Sequence, residues 1–323
     1  MSVMAQKCTY VFRFMLMLVV GTASIQSDFA RGAEPTQKEA KTVHLLTIGN
    51  SFSRNATRYL EPLATAGGHK LVHRPIIVGG ASMELHATKA LKHEADPDSK
   101  EGRYADGSSL KERLGEQRWD YVTIQQASRL SFDLDTYRPF ATQLKDYIKR
   151  YAPQAKLMVH ETWAYREDDP WFVKPAAGTT NPVTQEEMYS KLRDAYYTIA
   201  DELGAGLIPV GDAFHLATLD DKWKYRPDKR FNFAEAKFPE LPNQTHSLHT
   251  GWRWTTANET RRLAIDGHHA NTAGEFLGAC VFYETLFGDD VRENPFVPEK
   301  LDPEFARFLK ETAHRAVADL RTK

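Results

Sequence analysis

Short apolar, β-rich runs alternate with amphipathic stretches along this chain of 323 residues, and that alternation constrains the fold more than any other feature. Strands joined through helices pair in parallel, because a helical crossover carries the chain back to the end of the sheet from which it left. The runs at 43–48, 70–77, 120–125, 156–160 and 206–210 read as strands, and the first, third and fifth are apolar enough to be buried on both faces. The stretches 54–66, 82–92, 136–151, 185–203, 272–287 and 303–321 read as helices. In the last of them Phe305, Phe308, Leu309, Ala313, Ala316, Val317 and Leu320 recur at helical spacing, so this helix covers a core.

A hydrophobic content of 41% is enough for one large core, and a single domain over residues 42–323 is expected. Residues 93–110, charged and Gly-rich, fit no regular element; nor do residues 213–264, which read as a polar and aromatic insertion and a candidate lid. Lys+Arg and Asp+Glu balance at 42 against 43, which gives no electrostatic reason to expect nucleic acid as a partner.

Residues 1–33 read as a signal peptide. Lys7 and Arg13 flank the start of an apolar stretch over 14–23, which is shorter than the roughly 20 residues a membrane span needs. Small residues follow, and residues 34–41 form a polar linker. The expectation is an exported protein, periplasmic or extracellular, without stable membrane insertion after signal removal; a retained anchor is the alternative. Cys8 falls inside the signal, so the mature chain keeps only Cys280, in an apolar run, and forms no intrachain disulfide.

Chemistry concentrates in two short blocks. Gly49-Asn50-Ser51 follows the first strand and precedes a helix, a junction where free backbone N–H groups favour developing negative charge. Asp266-Gly267-His268-His269 places a carboxylate three residues before an imidazole, within reach on a loop or helical turn. A serine hydroxyl needs a base, and the base an orienting partner, so Ser51, His269 and Asp266 spell a nucleophile, a general base and its carboxylate. A plain helix cap is the competing role for Ser51 and for Asp266. His268 has the wrong spacing for the base and is assigned to substrate contact.

Four blocks in order carry a resemblance: Ile48-Gly49-Asn50-Ser51-Phe52-Ser53, Gly79-Gly80-Ala81-Ser82, Trp119 through Ser128, and Asp266 through Gly274. On these the chain after residue 40 resembles the SGNH (GDSL-like) hydrolases, more closely a branch that reads Gly-Asn-Ser where the superfamily usually has Gly-Asp-Ser. Alternation and resemblance together imply a three-layer α/β/α sandwich with a mainly parallel, flavodoxin-like five-stranded sheet. The resemblance implies a serine esterase that needs no cofactor. Its oxyanion donors would be the backbone N–H groups of Ser51 and Gly80, with Gln125, favoured over its neighbour Gln126 because it ends the strand, standing where the superfamily supplies an Asn. Asn50 forgoes whatever hydrogen bonding an Asp carboxylate supplies in that loop. Gly274 falls where the last block's helix packs closely.

Trp163 follows the fourth strand, at the edge where ligands of open α/β sheets collect, and is assigned to sugar stacking, with core packing as its competing role. Exported members of the superfamily often remove acetyl groups from polysaccharides, so the expected partner is a small-molecule or polysaccharide ester. The histidines at 246, 249, 268 and 269 match no metal-binding spacing, and no catalytic metal is expected. The alternative is a non-catalytic glycan-binding or surface protein on the same fold, motivated by the departures at Asn50 and in the third block.

Overall fold

The computed structural model describes residues 9–11, 39–172, 181–257 and 259–322, so the signal peptide expected over 1–33 lies outside the described residues except at 9–11. Residues 39–323 form one compact unit. No helix among the described residues is long and apolar enough to cross a membrane.

The elements run β1 (Thr42–Gly49), α1 (Ser51–Ala56), α2 (Leu60–Ala66), β2 (Lys70–Ile77), α3 (Met83–Ala95), α4 (Leu110–Gly115), β3 (Tyr121–Ile124) and α5 (Phe140–Tyr151). They continue with β4 (Lys156–His160), α6 (Gln185–Leu203), β5 (Gly206–Ile208), α7 (Val210–Leu219), β6 (His249–Ala257), β7 (Thr260–Ala270), α8 (Thr272–Phe287) and α9 (Pro303–Arg321). Strands β1 to β5 form one sheet in the order β2-β1-β3-β4-β5, every pairing parallel. Helices α3, α4, α5 and α6 pack together in one layer, and α1, α2, α7, α8 and α9 in the other. The result is the expected α/β/α sandwich.

Burial explains the order. In β1, an interior strand, Leu45, Leu46 and Ile48 are buried, because parallel strands carry helices on both faces. Each such side chain stabilises the fold by about 1.5–3 kcal/mol relative to exposure. Helix α8 is apolar around most of its circumference, and its Phe276, Leu277, Cys280 and Val281 fill the space between α1, α2, α7 and α9. Cys280 is a buried free thiol there.

Several boundaries differ from the sequence expectation. The helix expected over 54–66 is two, α1 beginning three residues earlier at Ser51 and α2 at Leu60. Strand β5 stops at Ile208, since Pro209 cannot donate to a ladder and serves as the N-cap of α7. The helix expected from 136 starts at Phe140, behind Pro139. Most consequentially, 213–264 is not without regular structure: α7 runs to Leu219, and β6 and β7 form an antiparallel ribbon whose second strand extends to Ala270. Within the charged segment 93–110, α3 continues to Ala95, and Ser109 opens α4 with a capping box closed by Glu112.

Candidate active site

Strand β1 ends at Gly49, and Asn50 turns the chain into α1. Its Oδ1 accepts the Phe52 N–H at 2.9 Å, while its Nδ2 donates to the Ala81 carbonyl at 2.9 Å. The cap is therefore Asn50, and Ser51 is the first helical residue, whose N–H has no intrahelical acceptor. The amide at 50 does two tasks where a carboxylate can only accept. The Gly-Asn-Ser reading thus does not cost the loop its hydrogen bonding; it ties the first block to the second.

That second block turns at Gly80, whose φ of 64° is a conformation side chains with a Cβ resist. Its carbonyl accepts from Arg129 Nη1 at 3.2 Å. Val78 N–H donates to the Gly49 carbonyl at 3.1 Å, so the Ser51 junction and the Gly80 turn are stitched together on both sides.

The last block arrives along β7. His269 Nε2 lies 2.8 Å from Ser51 Oγ, and His269 Nδ1 lies 3.0 Å from Asp266 Oδ2 and 3.2 Å from Oδ1. The His269 N–H also donates to Asp266 Oδ1 at 3.1 Å. Partial burial opposes the charged form of Asp266, but the His269 ring and backbone donors outweigh it and hold this carboxyl well below the usual carboxylate range. Two distant parts of the chain thus bring together hydroxyl, imidazole and carboxylate. His269 is 34% exposed at its side chain and Asp266 14%, so the group opens to solvent on the imidazole side.

Several residues that the sequence did not single out hold this arrangement. Asn55, one helical turn after Ser51, accepts the Ala270 N–H at 3.3 Å and donates to Glu275 Oε1 at 2.8 Å, clamping α1 to the strand end and to α8. Asn271 caps α8 through the Ala273 and Gly274 N–H groups and donates to the carbonyls of Ser247 and His249. Arg166 N–H donates to the Gly267 carbonyl at 2.8 Å. Gly274, by contrast, was expected from the resemblance: the helix packs closely there, and a Cβ would collide with the Leu248 carbonyl.

Two expectations are corrected. Trp163 presents no face for a sugar: it is 0% exposed, stacked on Phe214 with centroids 4.5 Å apart and tilted against Phe52 at 4.4 Å. Its Nε1 donates to the His268 carbonyl at 2.9 Å, so it buttresses the histidine strand from below. Gln125 is 1% exposed and spends its amide inside, accepting from Ser53 Oγ at 2.6 Å and donating to the Gln126 carbonyl at 2.9 Å. Gln126 is tied equally, to Met83 N–H, Ala127 N–H and Thr136. Neither side chain is left aimed at Ser51.

His268 does stay at the surface, 41% exposed at its side chain, with its ring beside Tyr165 at 5.4 Å. Burial pushes its ring downward in pKa and the Asp266 charge opposes this. Its Nδ1 is also 3.4 Å from Asp266 Oδ1, which the spacing argument had excluded: on a strand, residues two apart share a side. A separate cavity of about 800 Å³ is lined by Arg166, Tyr189, Phe214, Trp223 and Phe305 among others, and not by Ser51, Asp266 or His269.

A family model described as a domain of unknown function (DUF4886) matches residues 44–219 and 249–316, passing over 220–248. A solved DUF4886 family protein from Bacteroides uniformis ATCC 8492 is 26% identical, with 86% of this chain and 95% of that one covered and a TM-score of 0.61. A candidate SGNH hydrolase from Slackia heliotrinireducens is 21% identical over 76% of this chain and 98% of its own, with a TM-score of 0.46. A carbohydrate acetylesterase from Sinorhizobium meliloti is 14% identical over 53% and 85%, with a TM-score of 0.33. No curated protein matches the chain. The all-parallel order β2-β1-β3-β4-β5 is that of the flavodoxin-like sheet expected from the sequence.

Proposed function

The chain belongs to the DUF4886 family, and we propose that it is a serine esterase. One observation carries the reading: Ser51 Oγ, His269 and Asp266 stand in hydrogen-bonded sequence, with the nucleophile 2.8 Å from the base and the base 3.0 Å from its carboxylate. A cap or a core histidine has no use for that order of partners.

In this reading His269 Nε2 takes the proton of Ser51 as Oγ attacks the ester carbonyl. Asp266 holds the ring with its proton on Nδ1 and stabilises the imidazolium that forms. The backbone N–H groups of Ser51 and Gly80 receive the oxyanion, each worth about 10²–10³ in turnover. His269 then returns the proton to the leaving alcohol, and water attacking by the same route releases the acid. No step draws on a cofactor. His268, beside the base and open to solvent, contacts the substrate. Export rests on the N-terminal segment, and the substrate class, an O-acetyl or similar short acyl group on a carbohydrate, on the resemblance.

The test of the substrate class is acetate release from O-acetylated polysaccharides such as xylan or pectin, with p-nitrophenyl acetate as the generic control. Turnover of the control together with an acetylated glycan supports the full reading. Turnover of the control with every glycan inert refutes the carbohydrate part alone.

A further inference from the structure

The strand end that carries the base has a second capacity. We propose that Asp266, His268 and His269 form a zinc-binding site, and that occupying it switches the esterase off. The binding claim stands on geometry alone; the switch rests on the esterase reading.

The three side chains offer ligand atoms that all lie within 4.8 Å of one another. Asp266 Oδ1 is 3.4 Å from His268 Nδ1 and 3.2 Å from His269 Nδ1. Tetrahedral zinc with bonds of about 2.0–2.2 Å to nitrogen and oxygen holds its donors about 3.3 Å apart. Two of the three edges are therefore already at the separation a zinc ion imposes. Two imidazoles and one carboxylate are also a donor set that zinc favours, with a fourth position left for water. Both rings reach solvent, so an ion has a path in.

The remaining candidate cluster among the described residues, Glu284, Asp290 and His314, shows what a closed site looks like. There Asp290 is gripped by the Arg292 guanidinium at both oxygens, so its carboxylate is engaged by a charged partner. At Asp266 the only Lys or Arg paired with the carboxylate among the described residues is Arg253, 3.7 Å from Oδ2 and 56% exposed, free to swing into solvent.

The consequence for catalysis follows from the tautomer. A zinc ion on His269 Nδ1 displaces the proton held there, which moves to Nε2. Nε2 then faces Ser51 Oγ as a donor across 2.8 Å and cannot accept the serine proton.

Zinc chloride is titrated calorimetrically into the metal-stripped protein, and hydrolysis of p-nitrophenyl acetate is followed over the same zinc range. One equivalent binds, His268→Gln weakens affinity about tenfold or more, and Arg253→Ala strengthens it severalfold by removing a like charge. Zinc abolishes hydrolysis, and chelator restores it. Absence of saturable binding, or equal affinity in wild type and His268→Gln, overturns the site. Binding with undiminished hydrolysis overturns the switch and leaves the esterase reading standing. A protein inactive before zinc is added refutes the esterase reading, while calorimetry still decides the site.

Discussion

Replacing Asn50 by Asp restores the residue usual in the wider superfamily, and the structure says it should harm this protein. The Asn50 amide donates to the Ala81 carbonyl at 2.9 Å in a buried setting, while its Oδ1 caps α1. An ionised Asp keeps the cap but sets a carboxylate oxygen against that carbonyl. The donated bond, about 1 kcal/mol net, is lost, and the carbonyl is left without its donor at a cost of roughly 1–3 kcal/mol. The sum is about 2–4 kcal/mol at neutral pH, a fall in Tm of roughly 3–7 °C for a chain of this size at about 2.1 cal/mol/K of unfolding entropy per residue. Once protonated, the introduced carboxyl can donate to the Ala81 carbonyl again, so its folded-state pKa rises above the unfolded one. The deficit is then present above that folded-state pKa and shrinks as pH falls through it. The assay is thermal unfolding of wild type and Asn50→Asp side by side from pH 8 to about pH 4, read as the difference between them. A variant as stable as wild type at neutral pH, or a deficit that widens on acidification, refutes the reasoning.

Trp163→Ala removes a fully buried ring stacked on Phe214 and should cost about 3–5 kcal/mol; a raised KM with an unaltered Tm would instead reinstate the substrate-stacking role. His86 and His249 are pushed by burial to about 4 and His160 to about 3. Each folded-state value lies below the unfolded one, so the unfolded chain binds more protons between about pH 6.5 and pH 4 and stability falls as pH drops across that window. The slope of unfolding free energy against pH there should exceed that of a single proton, and a flat profile contradicts the burial of these rings.

The sheet was legible because parallel strands buried on both faces leave largely apolar runs: 43–48 and 120–125 fall within a residue of β1 and β3. The ribbon of β6 and β7 was not. Its residues are half exposed on both sides, so Thr260 to Ala270 shows neither an apolar run nor a clean alternation. That hid the element carrying Asp266, His268 and His269, and the Asp-x-x-His spacing was read as a turn. The chemistry survived the misreading because the spacing alone selected His269. Side-chain direction was beyond the sequence altogether. Trp163 and Gln125 follow β4 and β3 as substrate or oxyanion groups would, yet both point inward, Trp163 onto Phe52 and Phe214 and Gln125 onto Ser53. Asn55 carried no signal except its position one turn after Ser51.

The central claim is that Ser51 is a nucleophile activated by His269. A fluorophosphonate probe, which reacts with activated serine hydroxyls, tests it most directly when applied to wild type and Ser51→Ala, with p-nitrophenyl acetate hydrolysis measured on both. The account predicts one labelled site, mapped to Ser51 by mass spectrometry, and loss of both labelling and turnover in the variant. Turnover that survives Ser51→Ala, or a wild-type protein that neither labels nor hydrolyses, would contradict it.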